Sequence, residues 1–229
     1  MAIAFDRDAL LDAFDRIGHA AVAAGTRLQI AVYGGSAKCH SKLGMILSEN
    51  RNATFRDHAL LATNFRFATE DVDIADIGHD WPDWLTTVVA DIACDKGWSA
   101  EWLNDAVSFH LSPLAQRDRD HLALGTFPRR SDNVGLCVLI PSARYLLAMK
   151  LKSLRISNFE KGALDMQDTA NLLRVIGITD VEQAIAVLGE FFPKSAVDAD
   201  KQRFVLKRLL SQDQTSDAPT YPGGSNDEN

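Results

Sequence analysis

At Pro141 the sequence changes texture, and that change constrains the fold more than any other feature. Before it, short β-prone runs alternate with stretches of helical periodicity; after it, up to residue 211, every apolar pattern is helical. A chain built this way needs a small mixed sheet first and a helical unit second, an α/β (α+β) arrangement. The expected organisation is therefore an α/β core over residues 1–140, a helical unit over 141–211, and an acidic disordered tail over 212–229.

Charge follows the same division. Residues 1–140 hold 13 Lys/Arg against 19 Asp/Glu, residues 141–211 hold 11 against 8, and residues 212–229 have four acids with no basic partner. The net charge of −7 argues against wholesale wrapping in nucleic acid, but not against a local basic patch. The first residues carry charges where a signal peptide needs an apolar run, and no segment approaches the roughly 18 apolar residues of a membrane helix. Cys39, Cys94 and Cys137 are widely spaced and read as reduced, buried thiols. A cytoplasmic protein with no membrane contact is the expectation.

In the first unit, Leu10, Leu11, Phe14, Ile17 and Ala21 follow a helical period that Asp6 or Asp8 can cap and Gly25 ends. Leu28–Tyr33 is a strand that stops at Gly34-Gly35-Ser36, and a helix over Ser41–Leu47 should follow, with a polar stretch around Glu49-Asn50-Arg51-Asn52. Polar–apolar alternation predicts a strand over Thr69–Ile77, and Pro82 opens a helix to Lys96. Val107–Leu111 and Val134–Ile140 read as two more strands, with a loop carrying Arg117, Arg119, Arg129 and Arg130 before the second. Helices are expected at 142–157, 161–176, 180–191 and 195–210.

Two short motifs in this frame carry chemistry. A strand running into Gly34-Gly35-Ser36 and then a helix lets backbone N–H groups approach a phosphate, although as an isolated motif it is more often a plain turn. In Asp71-Val72-Asp73 the two acids fall on one face of a strand, where they repel each other unless a cation lies between them. Hard oxygen ligands of this kind suit Mg²⁺, with Mn²⁺ as a substitute. The six histidines show no metal spacing, and Trp81, Trp84, Trp98 and Trp102 read as packing residues.

Together the motifs resemble the nucleotidyltransferase superfamily. The flank Arg66-Phe67-Ala68-Thr69-Glu70-Asp71-Val72-Asp73 is similar to the form found in the AbiEii and MenT-like branch, the toxins of toxin–antitoxin systems. Leu146-Leu147-Ala148-Met149-Lys150-Leu151 followed by Asp165-Met166-Gln167-Asp168 resembles the helical motif of that branch, and Trp102-Leu103-Asn104-Asp105 also looks familiar from it. The resemblance spans about residues 28–175. It departs from the family in a longer interval between Gly35 and Asp71, and in having no clear third carboxylate on a later strand: either Asp165 or Asp168 replaces it, as the branch's motif implies, or the site works with a reduced set.

What the resemblance implies is a metal-dependent transfer of a nucleotide from an NTP, with release of pyrophosphate. Asp71 and Asp73 would hold the metal; Gly34, Gly35, Ser36, Arg66, Lys150 and Asp165 would bind the nucleotide; Asp73 or Asp168 would take the acceptor proton. The implied acceptor is RNA, a tRNA 3′ end first, and a cognate antitoxin protein is the implied partner. The alternatives are a small-molecule acceptor, as in antibiotic nucleotidyltransferases, and a catalytically silent module that binds a nucleotide or a protein.

Overall fold

The computed structural model describes residues 7–33, 72–75, 81–154 and 159–216. Its architecture is α+β: a five-stranded mixed sheet with helices on both faces. In chain order the elements are α1 (Arg7–Ala23), β1 (Leu28–Tyr33), β2 (Val72–Ala75), α2 (Asp83–Lys96) and β3 (Leu103–Asn104). A 3-10 turn follows at Ala106–His110, then α3 (Arg117–Asp120), β4 (His121–Phe127) and β5 (Leu136–Pro141). The helical part comprises α4 (Ala143–Lys152), α5 (Phe159–Ile176), α6 (Val181–Phe191), α7 (Pro193–Val197) and α8 (Asp200–Ser216).

The strand order is β3-β2-β1-β5-β4. β1 and β5 run parallel, as do β2 and β3, while β2 is antiparallel to β1 and β4 to β5. Residue parity along β1 decides which core each side chain joins, because successive side chains leave a strand on opposite faces. Leu28, Ile30 and Val32 pack with Leu10, Phe14 and Ile17 of α1 and with Val89 and Ile92 of α2. Ala31 and Tyr33 face the other way, against Tyr145, Leu146 and the helices that follow. Each fully buried Leu, Ile or Phe in these layers contributes about 1.5–3 kcal/mol of apolar burial.

Local chemistry sets several boundaries. Pro82 precedes α2, and Gly97 ends it at φ 66°, a left-handed conformation that costs glycine nothing. The Ser142 hydroxyl accepts the Tyr145 N–H at the start of α4, and the Asp180 carboxylate accepts the Glu182 and Gln183 N–H groups at the start of α6. Gly18 and Gly135 let α1 lie directly on the β4–β5 connection: a Cβ at Gly135 would sit 2.0 Å from the Gly18 carbonyl oxygen.

Several expectations need correction. Val107–Leu111 is not a strand. The Asn104 side chain accepts the Ala106 N–H and the Asp105 carbonyl accepts the Ser108 N–H, which closes a 3-10 turn and leaves Phe109 at the surface. His110 therefore lies on that turn. The segment read as an arginine-bearing loop contains α3 and β4, and β4 pairs with β5 from His121↔Pro141 to Phe127↔Leu136. The helix expected at 142–157 ends at Lys152, and the one at 195–210 divides into α7 and α8. α8 continues to Ser216, past the expected boundary at 211, so 212–216 is helix. Cys94 is exposed and Cys137 half-buried, both free. Trp102 is fully buried and donates its indole N–H to the Val89 carbonyl at 3.0 Å, a packing role as expected.

The proposed helix over Ser41–Leu47 lies outside the described residues, as do Cys39 and the tail beyond Ser216. No described helix is long and apolar enough to cross a membrane.

Candidate active site

β1 ends at Tyr33, the residue before Gly34-Gly35-Ser36. Its neighbour β2 carries Asp73, and the antiparallel register pairs Tyr33 with Asp73. On the far side Asp73 pairs with Asn104 of β3. Val72 and Ile74, which flank Asp73 in the chain, are fully buried in the layer beneath α1 and α2. Tyr33 and Asp73, forty residues apart in sequence, thus lie side by side at the end of β1. The familiar Trp102-Leu103-Asn104-Asp105 run also has a place here, since it supplies β3 beside the acidic strand.

Gly34, Gly35, Ser36, Arg66 and Asp71 lie outside the described residues. Asp73 is placed by its strand register, and Asp165 by its position in α5, one turn before Asp168. Asp105 is exposed at the start of the 3-10 turn.

Lys150 and Asp168 are brought together. The Lys150 ammonium on α4 lies 3.1 Å from a carboxylate oxygen of Asp168 on α5, with side-chain exposures of 17% and 6%. Asp168 belongs to a buried polar stretch with Thr169 and Asn171, and Gln167 donates to Asn171 at 3.2 Å. Charged groups are rarely buried unless paired, and here each charge has the other as counter-ion between α4 and α5.

A second polar cluster was not read from sequence. Tyr33 Oη and His121 Nε2 share a hydrogen bond of 2.7 Å, and both rings stand edge-on to Tyr145. Tyr145 Oη accepts the Ser112 N–H at 2.9 Å. Burial pushes the His121 imidazole below its usual pKa, against the opposing pull of the Gln116 and Arg117 backbone and of Asp120. Burial raises the Tyr145 phenol.

Asp120 anchors this corner. It accepts two hydrogen bonds from the Arg119 guanidinium and one from the Gln116 N–H, and its own carbonyl accepts the Ser142 N–H. Burial alone would raise the Asp120 carboxyl; these bonds hold it below the ordinary carboxylate value. Parity could have revealed Tyr33, which shares the face of Ala31, but nothing local to His121 indicates that β4 begins there.

Two of the arginines expected on a loop before the last strand are engaged in the fold: Arg119 with Asp120, Arg129 with Asp15 at 2.6 Å. Among the described residues no group of three or more His, Cys, Asp or Glu side chains converges as a metal site. The donors expected for Mg²⁺, Asp71 and Asp73, are hard oxygen ligands two residues apart, and that donor chemistry fits the ion. Comparison of the chain with protein-family models, with curated proteins and with solved structures found no match.

Proposed function

We propose that this chain is a metal-dependent nucleotidyltransferase that moves a nucleotide from an NTP to an acceptor hydroxyl, with RNA as the acceptor. The observation that carries the reading is the Tyr33–Asp73 register, which puts the acidic strand next to the strand that leads into Gly34-Gly35-Ser36. The resemblance to the AbiEii and MenT-like toxins rests on those two motifs, and their adjacency is what a shared phosphate and metal site requires.

In this reading the Gly34–Gly35 backbone and the Ser36 hydroxyl hold the β- and γ-phosphates, with Arg66 adding charge. Mg²⁺ bound by Asp71 and Asp73 would neutralise charge that develops on the phosphates. The acceptor oxygen attacks the α-phosphorus, the bond to the bridging oxygen of the β-phosphate breaks, and pyrophosphate leaves. Asp73 takes the hydroxyl proton. Asp168 is better suited to orienting Lys150 than to accepting that proton, because its carboxylate is buried against the ammonium. Lys150 in turn supplies a point charge for the phosphates.

A feature of α8 supports an RNA acceptor. Phe204 is 67% exposed, and Lys207 and Arg208, three and four residues on, are exposed on the same side of the helix. An aromatic ring flanked by cations suits single-stranded nucleic acid, which stacks bases and pairs phosphates. Other basic residues of the helical unit are committed elsewhere: Lys152 donates to the His110 carbonyl, Lys201 to the Leu154 carbonyl, and Arg203 pairs with Glu182.

The test is incubation of the protein with each labelled NTP, Mg²⁺ and total cellular RNA, with products resolved on a gel. Labelled RNA is expected, and Asp71→Asn or Asp73→Asn should reduce labelling by at least about 100-fold with the fold intact. Activity unchanged in both variants would overturn the proposal. Label on a small molecule alone would replace RNA as the acceptor, and nucleotide binding without pyrophosphate release would identify a silent module.

A further inference from the structure

Between the sheet and the helices lies a cavity of about 160 Å³. Its floor is the odd-numbered face of the sheet, where Ala31 of β1 meets Leu139 of β5. Three rings wall it. Tyr33 and His121 stand at 89° with centroids 5.9 Å apart, Tyr33 and Tyr145 at 88° and 6.3 Å, and His121 and Tyr145 at 76° and 5.6 Å. Gln29 and Arg117 supply polar groups to the lining, and Ala115, on the connection before α3, completes it.

We propose that this cavity binds the nucleobase of the nucleotide whose phosphates are held at Gly34–Ser36, an assignment that rests on the nucleotidyl-transfer reading above. Three features of the cavity converge on that ligand.

Size is the first. Pockets for drug-sized ligands run to about 300–1,000 Å³. A cavity of about 160 Å³ takes one ring system and leaves ribose and phosphates outside.

Chemistry is the second. An apolar floor and aromatic walls exclude a hydrated phosphate and favour a planar ring, which gains from ring–ring contact. The Gln29 amide, whose Nε2 donates weakly to Cys137 Sγ at 3.8 Å, presents a carbonyl oxygen, and Arg117 adds a guanidinium to the lining, the kinds of group that read a base edge. His121 is already bonded to Tyr33, and its lowered pKa keeps the wall uncharged near neutral pH.

Position is the third. Tyr33 forms part of the wall at the end of β1, so a base against it lies on the strand that pairs with the proposed metal-bearing strand. Asp73 is its register partner on the other side.

Ala115→Phe should fill the cavity from the loop between the 3-10 turn and α3 while leaving every residue of the sheet and of its motifs unsubstituted. Isothermal titration of Mg²⁺ with each of the four NTPs, and separately with inorganic tripolyphosphate, reads the effect. The expected result is NTP binding weakened at least tenfold in Ala115→Phe, with tripolyphosphate binding unchanged. Gln29→Leu should alter the ranking of the four NTPs. Wild-type NTP affinity in Ala115→Phe, or a loss shared equally by tripolyphosphate, would overturn the base site.

Should Ala115→Phe fail to fold, an unaltered NTP ranking in Gln29→Leu would overturn it instead. Backbone amide shifts of Ala31, Ala115 and Leu139 during titration of the wild type with the four nucleosides separate this proposal from the transfer reading. Shifts confined to the cavity in a protein that transfers no nucleotide leave the base site standing and overturn the transfer. Transfer with no shift and no effect of Ala115→Phe overturns the base site alone. A protein that neither transfers nor binds any of these probes overturns both.

Discussion

The Lys150 ammonium and the Asp168 carboxylate meet at 3.1 Å between α4 and α5, among the apolar side chains that join the helices to the sheet. Truncating one member of such a pair leaves the other charge in a poorly solvated place. Asp168→Ala should cost on the order of 3–5 kcal/mol, read as a lower denaturant midpoint. The double change Lys150→Met with Asp168→Leu should recover most of that stability and still transfer no nucleotide. An Asp168→Ala variant as stable as the parent would show that the pair does not hold α4 to α5.

His121 makes stability depend on pH in a defined direction. Burial depresses its folded pKa below the ordinary 6.5, so between the two values the unfolded chain binds more protons than the folded one. Its contribution is complete above pH 6.5 and is lost as pH falls from there through the depressed folded value. The carboxylates held below their usual values, Asp12 by Lys96 and Asp120 by Arg119 and the Gln116 N–H, lose theirs only near and below pH 4. Urea midpoints from pH 7.5 to 5 should therefore fall in the wild type and flatten in His121→Gln. An unchanged slope would exclude His121 as the source.

Gly135 is constrained by contact distance rather than by its own dihedrals. A methyl group there would meet the Gly18 carbonyl oxygen at 2.0 Å and Ala21 Cβ at 3.0 Å, so α1 would have to move off the sheet. Gly135→Ala should cost about 3 kcal/mol. Gly25→Ala, strained at φ 65° but with nothing within 4 Å of the new Cβ, should cost less, about 1 kcal/mol. Paired thermal melts of the two variants compare them directly.

If α8 contacts RNA, salt reports it. Transfer to RNA should fall steeply between 50 and 200 mM salt, because phosphate contacts release counterions. Lys207→Ala with Arg208→Ala should weaken RNA binding and lower the logarithmic salt slope by about 2, roughly one per lost phosphate contact. Transfer to a small acceptor would vary little with salt or with these changes. A flat salt profile for the wild type would argue against RNA.

Reading the chain in order recovers β1 residue for residue, since Leu28-Gln29-Ile30-Ala31-Val32-Tyr33, apolar or half-apolar at every position but Gln29, lies between Gly25 and Gly34. It recovers α2 equally well, because Pro82 and Gly97 bracket it. It misplaces the stretch 105–127. Val107–Leu111 has strand-forming composition, but its neighbours Asn104 and Asp105 capture the backbone in a tight turn. His121–Phe127 has a weak pattern of its own and becomes a strand because β5 offers an unpaired edge.

By itself the sequence determined the alternation of elements, the change from strands to helices after Pro141, the glycines that end helices and the two acids beside Val72. Those are local properties, set by side-chain periodicity and by the few residues with special backbone freedom. Only the tertiary structure decided that Tyr33 lies opposite Asp73, that Lys150 meets Asp168, and that Tyr33, His121 and Tyr145 enclose a cavity. Those relations join residues up to 112 positions apart, Tyr33 to Tyr145. They depend on which strand edges pair and which faces are buried, and burial is decided by the whole chain at once.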